Sequence, residues 1–288
     1  MPNTTLSQKT EEQQARIALL TKKYVEDYPD LWKGMVSQWQ SAERDAAWLT
    51  YSANYIFCTA GVRWALDPLS LFSRLSLPNP MDFTKDLASL DAVVLSHRHA
   101  DHLDPELLSK LAELPLLWIV PDFLLDELGM TFSGKTPKII VPQPNVPIQI
   151  KNLTLIPFEG FHFRDGNGVP EMGYVAEFSG KRWAFPGDTR VFPRGSLTRF
   201  GSLDGIFAHL WLGKACALQD KPALLEEYSS FFIEPSPNKL VITHMHELAR
   251  RPEDFWDLSH FSQVSAACLE RDPKIMITPA WTGSQVAL

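Results

Sequence analysis

The chain has 288 residues, 45% of them hydrophobic, and a formal charge of −7. That length and apolar share suffice for a sizeable core in one domain, while the acidic balance excludes a general nucleic-acid binder, which needs a basic face. The most apolar stretch, Leu114 to Leu125, is interrupted by Pro115, Pro121 and Asp122 and is too short to span a bilayer.

Met1 to Thr5 carry neither a basic start nor an apolar run, so no secretory signal is expected. Cys58, Cys216 and Cys268 are odd in number and widely spaced, with no Cys-x-x-Cys, and read as reduced, buried thiols. The expectation is a cytoplasmic chain. Residues 1–46 read as a helical extension ahead of a single domain over 47–288. Ile17, Leu20, Tyr24 and Tyr28 make one apolar stripe, which Pro29 is expected to end; Trp32, Met35, Val36 and Trp39 make a second. This helical pair is expected to pack on the domain, with a lid or dimer contact as its functional alternative. Proline clusters at Pro78-Asn79-Pro80, Pro142-Gln143-Pro144 and Pro235-Ser236-Pro237 mark turns between elements.

Asp91 to Leu95 is a short, β-branched apolar run that reads as a buried strand. It delivers His97-Arg98-His99-Ala100-Asp101-His102, three imidazoles and a carboxylate in six residues. Asp104-Pro105 then reads as a helix N-cap followed by proline at the first position, with Leu107, Leu108, Leu111 and Leu114 at helical spacing. Imidazole and carboxylate are ligands for zinc, iron or manganese, and crowding them together is costly when nothing is coordinated. His97 and His99 can share a direction on extended chain, and Asp101 and His102, beyond the turn, can face a second position. The arrangement suggests two metals.

Of the eight histidines, His162 follows the strand-like run Leu153 to Phe158, and His244 follows Leu240 to Thr243. Between them Tyr174 to Phe178, a Ser179-Gly180 turn and Arg182 to Phe185 read as a hairpin that presents Asp188 beside Gly187. Three candidate ligands thus stand just beyond predicted strands, on one sheet edge if those strands are co-aligned.

The ordered set Asp67, His97-x-His99-x-Asp101-His102, His162, Asp188 and His244 resembles the metallo-β-lactamase superfamily. Its first motif is most similar to that of the branch holding L-ascorbate-6-phosphate lactonase and N-acyl-phosphatidylethanolamine phospholipase D. The resemblance implies an α+β fold, a four-layer αβ/βα sandwich with metals at one edge between two sheets. It also implies that His97, His99 and His162 hold one divalent ion and Asp101, His102 and His244 another, with Asp188 bridging them. Zinc is the first candidate, manganese or iron the alternatives. Asp67, by the same resemblance, stands behind a ligand histidine and fixes its tautomer. The segment Trp48 to Tyr55 lacks the glycine-rich turn found in many relatives.

Two such ions would make a bridging hydroxide near neutral pH and polarise the attacked carbonyl or phosphoryl oxygen. No Gly-x-Ser-x-Gly and no phosphate loop offers a competing chemistry. Two divalent ions, two carboxylates and a hydroxide leave a centre of about +1. Arg98, Arg164 and Arg190 each lie within two residues of a candidate ligand, and Lys214 follows Trp211, so a mouth for a small anionic substrate is expected. The spare imidazoles are His209, a candidate for binding substrate, and His246, a candidate proton donor beside Asp101 and Asp188 in the catalytic set. The expected activity is hydrolysis of a small anionic ester, lactone or phosphodiester. The alternatives are a phosphodiesterase-type nuclease and a catalytically silent, metal-stabilised binding protein; a homo-oligomer stays open.

Overall fold

The computed structural model describes residues 6–75, 77, 82–248 and 250–288. The turn expected at Pro78-Asn79-Pro80 and the stretch Met1 to Thr5 lie outside them. Strands β1 (Ala46–Leu49), β2 (Tyr55–Thr59), β3 (Val62–Leu66), β4 (Ala92–Val94), β5 (Leu117–Ile119) and β6 (Lys138–Ile140) build the first sheet. The second holds β7 (Ile148–Ile150), β8 (Leu153–Glu159), β9 (Met172–Phe178), β10 (Lys181–Phe185), β11 (Gly205–His209), β12 (Lys239–Thr243) and β13 (Met276–Pro279). Strand β14 (Gln285–Ala287) returns to pair with β1, giving the orders β14-β1-β2-β3-β4-β5-β6 and β13-β12-β11-β10-β9-β8-β7.

Period-two alternation decides which side chains meet. On β2, Tyr55 and Phe57 face the second sheet, where they join Trp64, Phe185 and Phe207. The rings of Phe57 and Trp64 stack with centroids 4.0 Å apart, and those of Phe185 and Phe207 stack at 5.0 Å. Ile56 and Cys58 face the other way, into a core shared with helices. A third core lies on the far side of the second sheet, where Ile206, Ala208, Leu240 and Ile242 pack against Tyr228, Phe232, Val264 and Cys268. Those last residues belong to the helices Leu225–Ile233 and Leu258–Arg271. Three apolar interfaces separate four layers, the αβ/βα sandwich that the sequence resemblance implied.

The N-terminal segment corrects one expectation. It forms a single helix, α1 (Leu6–Gln40), that runs through Pro29. A proline inside a helix costs about 3 kcal/mol by losing one hydrogen bond and crowding the preceding turn. Here a buried stripe of Tyr24, Tyr28, Trp32, Met35, Val36 and Trp39 continues across it and outweighs that cost. Each polar end is also satisfied: Tyr28 Oη donates to the Thr50 carbonyl at 2.9 Å, Trp32 Nε1 to Asp86 at 2.9 Å and Trp39 Nε1 to the Phe57 carbonyl at 2.8 Å. No helix among the described residues is long and apolar enough to cross a membrane.

Strand direction positions the site. β3 and β4 are parallel, as are β10, β11 and β12, and β8 runs with β10 because both are antiparallel to β9. Asp67, Ser96-His97, His162, Asp188, His209 and His244 therefore lie at or just beyond strand ends on one edge of the sandwich. Asp67 and His244 turn there with φ of +46° and +62°, a left-handed conformation uncommon for residues with a Cβ.

Candidate metal centre

Three groups of side chains converge at this edge. His97, His99, His162 and Asp188 offer ligand atoms within 4.8 Å of one another, and so do Asp101, His102, Asp188 and His244. Asp188 is common to both. Its Oδ1 lies 3.3 Å from His102 Nε2 and 3.2 Å from His244 Nδ1, while its Oδ2 lies 3.9 Å from His97 Nε2. Asp67, His97 and His102 form the third group.

The arrangement fits metal ions on a specific observation. His97 Nε2, His102 Nε2, His162 Nε2 and His244 Nδ1 are buried and have no hydrogen-bond partner among the described residues. Buried polar atoms left unpaired are costly, and four imidazole nitrogens unpaired at one place, around two carboxylates, are a donor set for divalent transition metals. The opposite ring nitrogens are anchored. His102 Nδ1 donates to Asp67 Oδ2 at 2.8 Å, which leaves the Nε2 lone pair facing the centre. Ser96 donates its backbone N–H and its hydroxyl to the same Asp67 carboxylate. With its proton so committed, Ser96 Oγ accepts from His97 Nδ1 at 2.9 Å, and His97 too presents Nε2. His162 differs: its Nδ1 accepts from the Val169 N–H at 3.1 Å, so its neutral ring carries the proton on Nε2, and binding an ion there requires the other tautomer.

The two groups differ electrostatically. Burial pushes His97 well below the ordinary histidine range, His99 below it and His162 down to about 3, so these three rings are neutral. In the other group burial also opposes charge, but Asp188, Asp101 and Glu247 outweigh it and raise His244 to about 9. His102 is likewise raised against burial by Asp188 and Asp67. Burial works against the charge of Asp188 as well, yet His244 and His102 hold its carboxyl well below the usual range.

The remaining sequence candidates divide. His209 lies beside the centre, but it cannot face a substrate: Nδ1 is 2.9 Å from Asp188 Oδ1 and Nε2 is 2.9 Å from Tyr55 Oη, which in turn meets Thr243 Oγ1 at 2.9 Å. Both ring nitrogens are thus engaged, one on the Asp188 carboxylate and the other on Tyr55. His246 does not join the constellation. Its ring stacks near Phe255 and lines a separate cleft with Arg16, Leu19, Leu20 and Lys23. Arg98 points outward to Glu127 at 3.4 Å. Arg164 and Arg190 do share a cleft of about 430 Å³ with Trp211, Lys214, Arg250, Asp165 and Asp254. Arg190 lies over the Trp211 ring at 5.6 Å, and Arg250 of the same cleft reaches Asp101 Oδ2 at 3.1 Å, which places the cleft beside the centre.

Sequence reading missed several contributors. Arg250 reaches Asp101 Oδ2 at 3.1 Å and also binds Glu247, tying the cleft to a candidate ligand. Asn54 Nδ2 donates to the carbonyls of Asp67 and Asp101, both at 2.8 Å, from the segment that lacks the glycine-rich turn. Ser96, adjoining the histidine motif, was the one with a usable signal. Glu171 and Tyr55 carried none, since a carboxylate and a tyrosine flanking strands are common features.

Comparisons with known proteins bear on the family and the fold. Residues 64–246 match the sequence model of the beta-lactamase superfamily domain. No curated protein matches the chain significantly. Among solved structures, the metallo-beta-lactamase fold protein YhfI from Bacillus subtilis superposes with a TM-score of 0.62 at 15% identity, over 84% of this chain and 98% of that one. Igni18, a metallo hydrolase from the archaeon Ignicoccus hospitalis, gives 0.59 at 17% identity over 85% and 98%. CmlA, a diiron beta-hydroxylase from Streptomyces venezuelae, gives 0.60 at 14% identity over 86% of this chain and 55% of its own. At these identities the likeness is one of fold.

Proposed function

Because the chain belongs to the beta-lactamase superfamily, we propose that it is a dinuclear metal-dependent hydrolase acting on a small anionic ester, lactone or phosphodiester. The observation that carries the reading is the set of four unpaired, buried imidazole nitrogens converging on Asp188. His97, His99 and His162 would hold one ion, Asp101, His102 and His244 the other, and Asp188 both. When bound, two divalent ions supply an activated water and polarise the oxygen of the bond under attack. Zinc is the first candidate, with manganese or iron as alternatives.

The chain's own residues supply orientation and charge. Asp67 and Ser96 fix the rings of His102 and His97, and His209, braced by Tyr55, holds Asp188. The substrate's anionic part is received by the cleft of Arg164, Arg190, Lys214 and Arg250, which sets four cations against the carboxylates of Asp165 and Asp254. Of the cations expected from sequence, Arg164, Arg190 and Lys214 line this cleft, Arg98 does not, and Arg250 joins them. Guanidinium groups suit phosphate and carboxylate, which they can bind with two parallel hydrogen bonds. The substrate range is that of the lactonase and phospholipase D-like branch that the histidine motif resembles. Three free, buried cysteines support a reducing compartment and hence a cytoplasmic site of action.

A redox reading on the same fold has one specific observation in its favour, the superposition on a diiron hydroxylase. The test separates them. Purified protein loaded with zinc is assayed on a panel of phosphorylated lactones, carboxylate esters and generic phosphodiesters, with and without chelator. Hydrolysis by the zinc form, abolished by chelator, is expected. Inactivity of the zinc form on the whole panel, with oxygen consumption by the iron form, would overturn the hydrolase reading.

A further inference from the structure

One buried carboxylate at the centre has no place in the ligand set. Glu171 immediately precedes β9, and its side chain is fully buried. Its Oε1 accepts the backbone N–H of Asp188 at 2.8 Å and lies 3.2 Å from His97 Nδ1. One oxygen atom thus touches the ring of one candidate ligand and the main chain of the candidate bridge. The surroundings are shaped to it. A Cβ on Gly160 would come 2.6 Å from Glu171 Oε2, and one on Gly187 would come within van der Waals overlap of its carboxylate. Gly187 also turns with φ of +77°, the conformation that swings Asp188 toward the histidines.

A purely structural role explains this poorly. Glu171 Oε2 is buried with no hydrogen-bond partner among the described residues. A half-satisfied carboxylate in a dry interior destabilises a fold relative to an apolar side chain of similar size. What the carboxylate does provide is a fixed acceptor behind the centre. With it, an arc of contacts runs from Asp188 N–H through Glu171, His97 Nδ1, Ser96 Oγ and Asp67 to His102 Nδ1. The arc links a ligand of each proposed ion with the bridge.

We propose that Glu171 is a positioning residue of the metal centre, one that sets the tautomer and orientation of His97 and the placement of Asp188 together. It rests on the metal reading above and goes beyond it by coupling the two ion positions through a residue that touches neither. Partners behind metal-binding imidazoles typically change affinity by about 10- to 100-fold.

The test measures zinc affinity by competition with a chromogenic chelator on the full chain, together with unfolding of the metal-free protein. Glu171→Met should weaken zinc binding by about 10- to 100-fold, while the metal-free protein melts no lower than wild type. Glu171→Gln keeps one acceptor oxygen but replaces the carboxyl group, and should fall between wild type and Glu171→Met. Wild-type affinity in Glu171→Met overturns the proposal. If that variant does not fold, a Glu171→Gln affinity equal to wild type overturns it in the same way, as does a metal-free melting temperature lowered in step with the affinity. Failure of the wild type to bind zinc at all would instead remove the metal reading, and the brace with it.

Discussion

The metal centre and the cationic cleft beside it are built by different means. Ligand candidates of the centre are almost all buried and stand near the ends of strands on two sheets; Asp67, Ser96 and Glu171 contact His102 and His97 from behind, and His209, braced by Tyr55, contacts Asp188. The cleft comes from loops, and its arginines each already have a partner. Arg164 pairs with Glu227 at 3.5 Å, Arg190 lies on Trp211, and Arg250 is shared between Glu247 and Asp101. Under the proposed function the centre serves chemistry and the cleft recognition, with Arg250 as the contact between them. A substitution in the centre should remove turnover, and one in the cleft should change how well substrate binds.

The largest effect is expected at Asp188, common to both ligand groups. Asp188→Ala should lower metal-dependent kcat/KM by at least about a thousandfold, roughly 4 kcal/mol of transition-state stabilisation. Circular dichroism should show the fold retained. A variant that keeps a tenth of wild-type activity would show that the two groups do not share this carboxylate. His102→Ala should be more selective. It should leave His97, His99 and His162 to hold one ion, so metal analysis should fall from about two ions per chain to about one. Loss of both ions would show that the groups are one cooperative site.

How much of each region could be read from the sequence follows from the same contrast. Imidazoles are rare, and His97, His99 and His102 fall in one motif at the end of an apolar strand, so ligand type and strand order carried the centre. The cleft was only half legible. Arg98, Arg164 and Arg190 are equivalent by sequence distance, but only tertiary structure turns Arg98 toward Glu127 and brings in Arg250 from sixty residues past Arg190. The roles of His209 and His246 were illegible for a related reason, since a spare histidine does not announce whether Tyr55 already engages it or it lines a different cleft. Likewise Pro29 is a sound stop signal locally, and aromatic packing on both sides of it overrides the signal.

Arg190→Ala sharpens the comparison at moderate scale. It should raise KM about tenfold with little change in kcat, and inorganic phosphate should inhibit the wild type competitively and this variant more weakly. Arg98→Ala should change neither beyond about twofold, as expected of an exposed surface pair. Equal activity on neutral and anionic versions of one scaffold, with no phosphate inhibition, would remove the anionic-substrate reading and leave hydrolysis standing. The last effect is on stability and not on turnover. Tyr28→Phe deletes the hydrogen bond to the Thr50 carbonyl and should cost about 1 kcal/mol of stability, with metal content unchanged. A change in metal content would show that α1 reaches the centre.

The central claim, two ions bridged by Asp188, is tested most directly by metal analysis of the zinc-loaded wild type combined with anomalous diffraction at the zinc edge. The account predicts about two ions per chain, one among His97, His99 and His162 and one among Asp101, His102 and His244, each within about 2.3 Å of an Asp188 oxygen. A single ion in metal-replete protein, or Asp188 more than about 4 Å from both ions, would contradict it.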